Sequence, residues 1–260
     1  GPYIMKDNQR RGEMIMIKNQ DYWATYPTEG EAADRAKGLL ADAGKKLPMI
    51  DEIRLPLVEE AQPAILSFQR GDLDVVGIDK DNFGNFMAIT DGKVSLLPKW
   101  ENKIKFTAIP GLSMECFKFN MKDPVVGGYT KEKIALRQAL AHAINTANYI
   151  ELMMNGRAMR LNSIVPHPIA GSEWTMPAEY YENNVEEAKK KLQEAGYPKG
   201  EGLPEIVFEY RASTTQTRQQ WEFVRNELAN VGIKARANFQ TFSAWLQKTE
   251  QGNFQISGAG

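Results

Sequence analysis

Only one cysteine, Cys116, occurs in the 260 residues, so no intramolecular disulfide can form and a CxxC-type zinc site is excluded by count. Histidine is almost as scarce. His142 and His167 stand far apart, no HExxH spacing exists, and no EF-hand loop supplies carboxylates instead. An excess of charge of one sign is missing too: 32 Lys and Arg against 33 Asp and Glu leave a net charge of −1, with the basic residues spread along the chain. That balance excludes the concentrated basic face by which nucleic acid is bound. No apolar run approaches the roughly 18 residues that a membrane span needs. There is no G-x-S-x-G, no P-loop, and no basic segment followed by an apolar stretch at the start. No cofactor, no metal and no enzyme chemistry are expected from this inventory.

What is present is ordinary globular composition, 42% hydrophobic and 25% charged, in a chain long enough for two small domains or one large one. Residues 13–19 alternate like a half-buried strand. Residues 28–46 read as a helix capped by Thr28, with Glu31 as capping-box partner and Gly44 as the stop. A strand over 50–58 follows, marked as an edge by Pro56, then a helix over 60–71 with Pro63 in its first turn. A strand over 73–78 and a helix over 80–90 complete a βαβαβ alternation, which implies α/β layers.

The second half carries stronger punctuation. Strands are predicted over 104–111 and 113–120, and Thr130 caps a helix to about Asn145, where a second helix begins and runs to Gly156. Residues 157–183 are an irregular crossing rich in proline. Asn184 caps the next helix with Glu187 as its box partner, and Val185, Ala188, Leu192 and Ala195 form one apolar stripe. Gly196 and Pro198 end it before the strand IVFEY. A helix over 213–232, with Ser213 and Gln216 in the box positions, turns Thr217, Trp221, Val224, Leu228 and Val231 inward. A strand over 233–239, a short helix and a last strand NFQIS close the chain.

Most conspicuous side chains have a plain structural reading. Cys116 on an apolar strand reads as a buried thiol, and His142 as a partly exposed residue on the polar face of its helix. The runs KEK and EEAKKK read as solvated helix faces with pairs Glu186–Lys190 and Glu187–Lys191. Trp174, Tyr180 and Tyr181 read as anchors of the irregular crossing, with a ligand surface as the alternative. Trp245 with Phe242, and Met114, Glu115 and Cys116 just past Pro110-Gly111, are less plain, because ligand sites favour domain boundaries and aromatic contact area. Core and site readings both stay open for them.

Four stretches in register then resemble one family. They are GPYIMKDNQRRGEMIMIKNQDYW, LPMIDEIRLPLVEEAQPAILSFQRGDLDVV, KIALRQALAHAINTANYIELMMNGRA and NVEEAKKKLQEAGYPKGEGLPEIVFEY. They are similar to the family 5 extracellular solute-binding proteins, the oligopeptide and dipeptide receptors of bacterial ABC importers. Residues 24–47 depart from the pattern and look like an insertion.

The resemblance implies an α/β fold of the type II periplasmic binding protein kind, with two lobes of mixed sheets closing on a ligand like a hinge. It implies a partial chain, with the later portion of lobe one over residues 1–110 and most of lobe two over 111–260. It implies a periplasmic or extracellular membrane-associated receptor, a peptide or similar small solute as ligand, and an ABC permease as partner. It also implies that the strands near 113–119 and 253–258 lie side by side. By position in the family pattern, Met114, Glu115 and Cys116 line the cleft, Arg211, Ala212, Ser213 and Gln216 face the ligand, and Phe242 and Trp245 present aromatic surface. Glu115 would meet a ligand ammonium or an internal arginine. The terminal SGAG carries no charge where peptide receptors often place a basic residue. A second reading is a stand-alone α/β interaction or chaperone-like domain on the same scaffold, without transport. Exposed lobe surfaces and an open sheet edge would let the piece self-associate.

Overall fold

The computed structural model describes residues 1–8, 12–90, 93–107, 111–166, 169–180 and 182–259. Of the expectations above, those for His167, Tyr181 and the start of the crossing at Pro110 lie outside the described residues. The chain forms two compact units, Gly1–Ala64 and Ile65–Gly260.

The first unit is built on an antiparallel sheet of β1 (Tyr3–Asn8), β2 (Glu13–Lys18) and β3 (Glu52–Pro56), in that order. Pro56 does sit on an edge strand, where its missing N–H costs least. The helix expected over 28–46 is reduced to α1 (Ala32–Ala36), with Glu31 rather than Thr28 at its N-cap and its backbone N–H donating to Asp34 at 3.0 Å. No residue of α1 is buried, and Gly38 adopts a left-handed φ of 72° directly after it. A helix this short with no packed face is not sustained beyond a turn or so.

α2 (Ala61–Arg70) crosses the division at Ala64, and the second unit continues with α3 (Lys80–Phe86) and a hairpin of β4 (Met87–Thr90) and β5 (Lys93–Leu96). The strand expected over 73–78 does not form, and the helix expected over 80–90 ends at Phe86. Residues 104–107 are not a strand either. The βαβαβ reading of this half is therefore corrected: its described strands pair antiparallel. A run such as LDVVGI is a strand only if it finds a pleated neighbour and a surface to bury, and Val75 stays 83% exposed.

The main body is a four-stranded mixed sheet. β6 (Cys116–Phe119), β7 (Ile206–Tyr210), β8 (Ala235–Phe239) and β9 (Ile256–Ala259) lie in the order β6-β9-β7-β8. β7 runs parallel to β8 and β9, and β9 pairs antiparallel with β6, Cys116 opposite Ala259 and Phe119 opposite Ile256. The expected neighbourhood of the two strands is met. Helices α4 (Lys131–Ala143), α6 (Val185–Glu194) and α7 (Thr215–Asn230) share a core with one sheet face through Leu136, Leu140, Leu192, Phe208, Trp221 and Leu228. Ser257, next to core residue Ile256, points to the opposite face, where Trp245 of α8 (Phe242–Glu250) donates its Nε1–H to the Ser257 hydroxyl at 2.9 Å.

Caps explain why these helices start where they do. Thr130, Asn145, Asn184, Thr214 and Thr241 each accept the N–H three residues on. α7 is thus capped by Thr214, one residue later than expected. α5 (Thr146–Met154) ends with Asn155 in the left-handed region at φ 51°. The Asn184 cap is only half a box, because its own N–H goes to the His142 carbonyl. His142 is itself 3% exposed, not on a free polar face, and its Nδ1 lies 2.7 Å from the Glu182 carbonyl. The segment 182–184 covers that face, and Asn183 donates to the His142 and Ala143 carbonyls that the end of α4 leaves open. On α6 Glu186 pairs with Lys189 rather than Lys190, while Glu187–Lys191 forms as expected. Trp174, at 62% exposure, and Tyr180 do not anchor the crossing to the core.

Candidate functional site

Strand direction decides where the site can be. β7, β8 and β9 all point their carboxyl ends to one margin of the sheet, and antiparallel β6 brings its amino end to the same margin. In open α/β sheets that margin is where ligands bind, since the chain must turn there and leave backbone groups and loop side chains unoccupied. The amino ends of α7 and α8, which follow β7 and β8, open at this margin too.

The residues expected at the site fall along it. Glu115 and Cys116 precede and begin β6, Arg211 and Ser213 leave β7, Gln216 lies in the first turn of α7, and Phe242 opens α8. The Arg211 guanidinium stands 3.6 Å from the Glu115 carboxylate, with both side chains open to solvent. Met114 is half-buried beside them. Cys116 is an exposed free thiol, not a buried one, because it starts an edge strand. Phe242 is 57% exposed, whereas Trp245 is only 7% exposed. The two rings stack at 5.7 Å, so Trp245 supports Phe242 from below while its indole is tied to Ser257.

Several residues at the margin were not singled out in the sequence. Arg218, one turn into α7, donates to the Ser213 hydroxyl at 2.6 Å and lies over the Phe239 ring at 4.7 Å. Its helical position one turn after the Thr214 cap was the available signal. Tyr149 of α5 has its hydroxyl pushed up to about 12, first by burial and then by the nearby Glu115 carboxylate. Tyr210 is raised still further by burial, with Tyr149 adding to it. Tyr210 packs against Phe239, Trp221 and Phe117, so an aromatic layer backs the charged margin.

On the opposite face of the sheet from this layer, Glu209 is 2% exposed yet fully engaged. Asn238 and Lys248 donate to its Oε1 and Gln240 to its Oε2. A buried carboxylate persists only with such partners, and this one ties β7, β8 and α8 together immediately below the margin. A lone acid inside IVFEY was its mark in the sequence.

Among the described residues no group of three His, Cys, Asp or Glu could hold a metal ion, and no helix is long and apolar enough to cross a membrane. The margin offers a separable ion pair, a second guanidinium, hydroxyls, an exposed aromatic ring and strand ends. Those are the means to hold an extended polar ligand by its charges and backbone.

The family model of the bacterial extracellular solute-binding proteins, family 5 (middle region), matches residues 1–260. The oligopeptide-binding protein OppA of Bacillus subtilis is 21% identical over the whole chain, which spans 42% of that protein. The periplasmic binding protein DppA of Helicobacter pylori, solved in complex with the peptide STSA, superposes with a TM-score of 0.72 at 20% identity, covering 100% of this chain and 42% of DppA. A dipeptide-binding protein from Pseudoalteromonas, solved with Met-Leu, has a TM-score of 0.72 at 18% identity, covering 100% of this chain and 44% of that one. The chain therefore spans less than half the length of these relatives, and at such identities the structural likeness is one of fold.

Proposed function

Because the chain belongs to the bacterial extracellular solute-binding proteins of family 5, we propose that it is part of an ABC-importer receptor that captures short peptides for a membrane permease. In this reading residues 1–110 contribute to lobe one and residues 111–260 form most of lobe two. The receptor acts in the periplasm or at the outer face of the membrane.

One observation carries the reading: the Glu115–Arg211 pair at the strand-end margin. A peptide is a zwitterion with a donor and acceptor at every residue. Its ammonium suits Glu115 and its carboxylate, or a backbone carbonyl, suits Arg211. The pair is exposed, so water and ligand can exchange for it at little cost. Ser213 and Arg218 add donors beside it, and Gln216 lies one turn away. Phe242, held by Trp245, offers a flat surface to a ligand side chain. Met114 and Cys116 extend the floor. The function asks for binding and release, and no bond is made or broken in it.

Calorimetry of the full-length protein against di- to pentapeptides tests this. Micromolar or tighter binding of at least one peptide class is expected. A complete absence of heat or thermal shift across the library overturns the peptide reading.

A further inference from the structure

Among the described residues the second unit holds two separate hydrophobic clusters. Ile65, Phe83, Phe86 and Met87 form the smaller, and the body around β7, α4, α6 and α7 forms the larger. Side chains with polar heads bridge them. Arg157, just past α5, donates from Nη1 to the Ile78 carbonyl at 2.8 Å and lays its guanidinium over the Phe83 ring at 4.9 Å. Its Nε is tied back to the Met154 carbonyl at 3.0 Å. Two successive left-handed residues, Asn155 at φ 51° and Gly156 at φ 68°, swing the chain out of α5 and aim Arg157 at α3. From α7, Gln219 donates to the Asp81 carboxylate at 3.3 Å. A crevice of about 540 Å³, lined by Lys80, Met153, Arg218 and Phe223, lies beside these contacts.

We infer that Arg157 and Gln219 are a latch, which holds the segment Ile78–Phe86 of lobe one against lobe two and so sets how readily the receptor closes. This rests on the lobe assignment proposed above. The contacts suit such a role. They are hydrogen bonds and a cation over a ring, which exchange with water, whereas apolar burial would weld the two clusters together. They are also incomplete: among the described residues the Gln219 Oε1 finds no partner. Arg157 and Gln219 make their contacts to Ile78, Phe83 and Asp81 and not to Glu115 or Arg211, so the latch acts on the population of the closed form and not on that ion pair. Apparent affinity scales with the fraction of receptor that is competent to bind.

Hydrogen exchange on the full-length protein without peptide tests the latch. Arg157→Ala is expected to raise exchange of the Ile78–Phe86 amides by about tenfold and leave those of α4 and α7 unchanged. Gln219→Ala should do so by a smaller factor, and Arg157→Lys, which keeps charge but loses the planar fork, should fall between Arg157→Ala and wild type. Peptide affinity should drop several-fold in the same order. Unchanged exchange over Ile78–Phe86 in Arg157→Ala overturns the latch. So does a rise shared equally by α4 and α7, which would mean a general loss of stability. A wild-type protein that binds no peptide overturns the receptor reading instead, and the exchange pattern then still decides whether the clasp exists.

Discussion

Arg211 reaches over the end of β9 to stand 3.6 Å from Glu115, so the exit of β7 and the entry to β6 meet although β9 lies between them. Both side chains are exposed, and an exposed pair adds about 0–1 kcal/mol to stability. Replacing Arg211 with Ala should leave the denaturation midpoint nearly unchanged. The same change should weaken peptide binding by about tenfold or more, the worth of one charge-assisted hydrogen bond. Calorimetry and urea unfolding on one variant separate the two effects. Equal affinities in variant and wild type would remove Arg211 from the site.

Glu209 should behave in the opposite way. Its carboxylate is buried with three donors around it, and Glu209→Gln leaves the Lys248 ammonium without its counter-charge. A loss of about 2 kcal/mol is expected, less than for a fully buried pair because Lys248 is partly exposed. Adding Lys248→Met should return part of it, and a double-mutant cycle reads the coupling.

Gly200 and Gly232 touch backbone to backbone. A Cβ on Gly200 would overlap the Gly232 carbonyl, and both residues have left-handed φ values, 81° and 91°. Gly200→Ala should cost at least about 3 kcal/mol. Gly202→Ala is the control: φ is 76° but nothing stands within 4 Å of the new methyl, so only the backbone penalty of about 1–2 kcal/mol applies. Urea midpoints that fail to rank the two in this order would contradict the close approach.

Tyr149 predicts an alkaline limb. Its hydroxyl is pushed from 10.0 to about 12, mainly by burial, so the folded state resists ionisation more than the unfolded one. A raised folded value gives stability that is whole below pH 10 and is lost as pH rises toward about 12. Tyr149→Phe should flatten that part of the profile. Unfolding midpoints at pH 9 and 11 in the two proteins measure it.

The helices of the main body were legible because their signals are local. Thr130, Asn145 and Asn184 cap the helices that follow them, and Gly196, at φ 87°, stops α6 as its place before Pro198 suggested. Where a local signal lacked a packed face, it misled. The residues around Thr28 and Glu31 offered a capping box but no buried stripe, and only five residues became helical. LDVVGI had strand composition but no strand to join. His142 looked like a polar-face residue until the distant segment 182–184 covered it.

The candidate margin shows the same division. Glu115 and Phe242 stood out by a boundary position and an aromatic ring, Arg211 and Ser213 only through the resemblance, and no spacing within the chain links the four. Tyr149 and Glu209 were missed because each matters through partners remote in sequence, and Arg218, though it meets nearby Ser213, lies over Phe239 of a separate strand.

By itself the sequence determined the starts of α4, α5 and α6, the strand IVFEY and the family, since capping and a recurring motif order are written in neighbouring residues. Tertiary structure alone decided that β9 lies between β6 and β7, that Cys116 is exposed and His142 buried, and that Glu115 meets Arg211. Those facts depend on which surfaces bury each other, and burial is settled between segments far apart in the chain, where no local period records it.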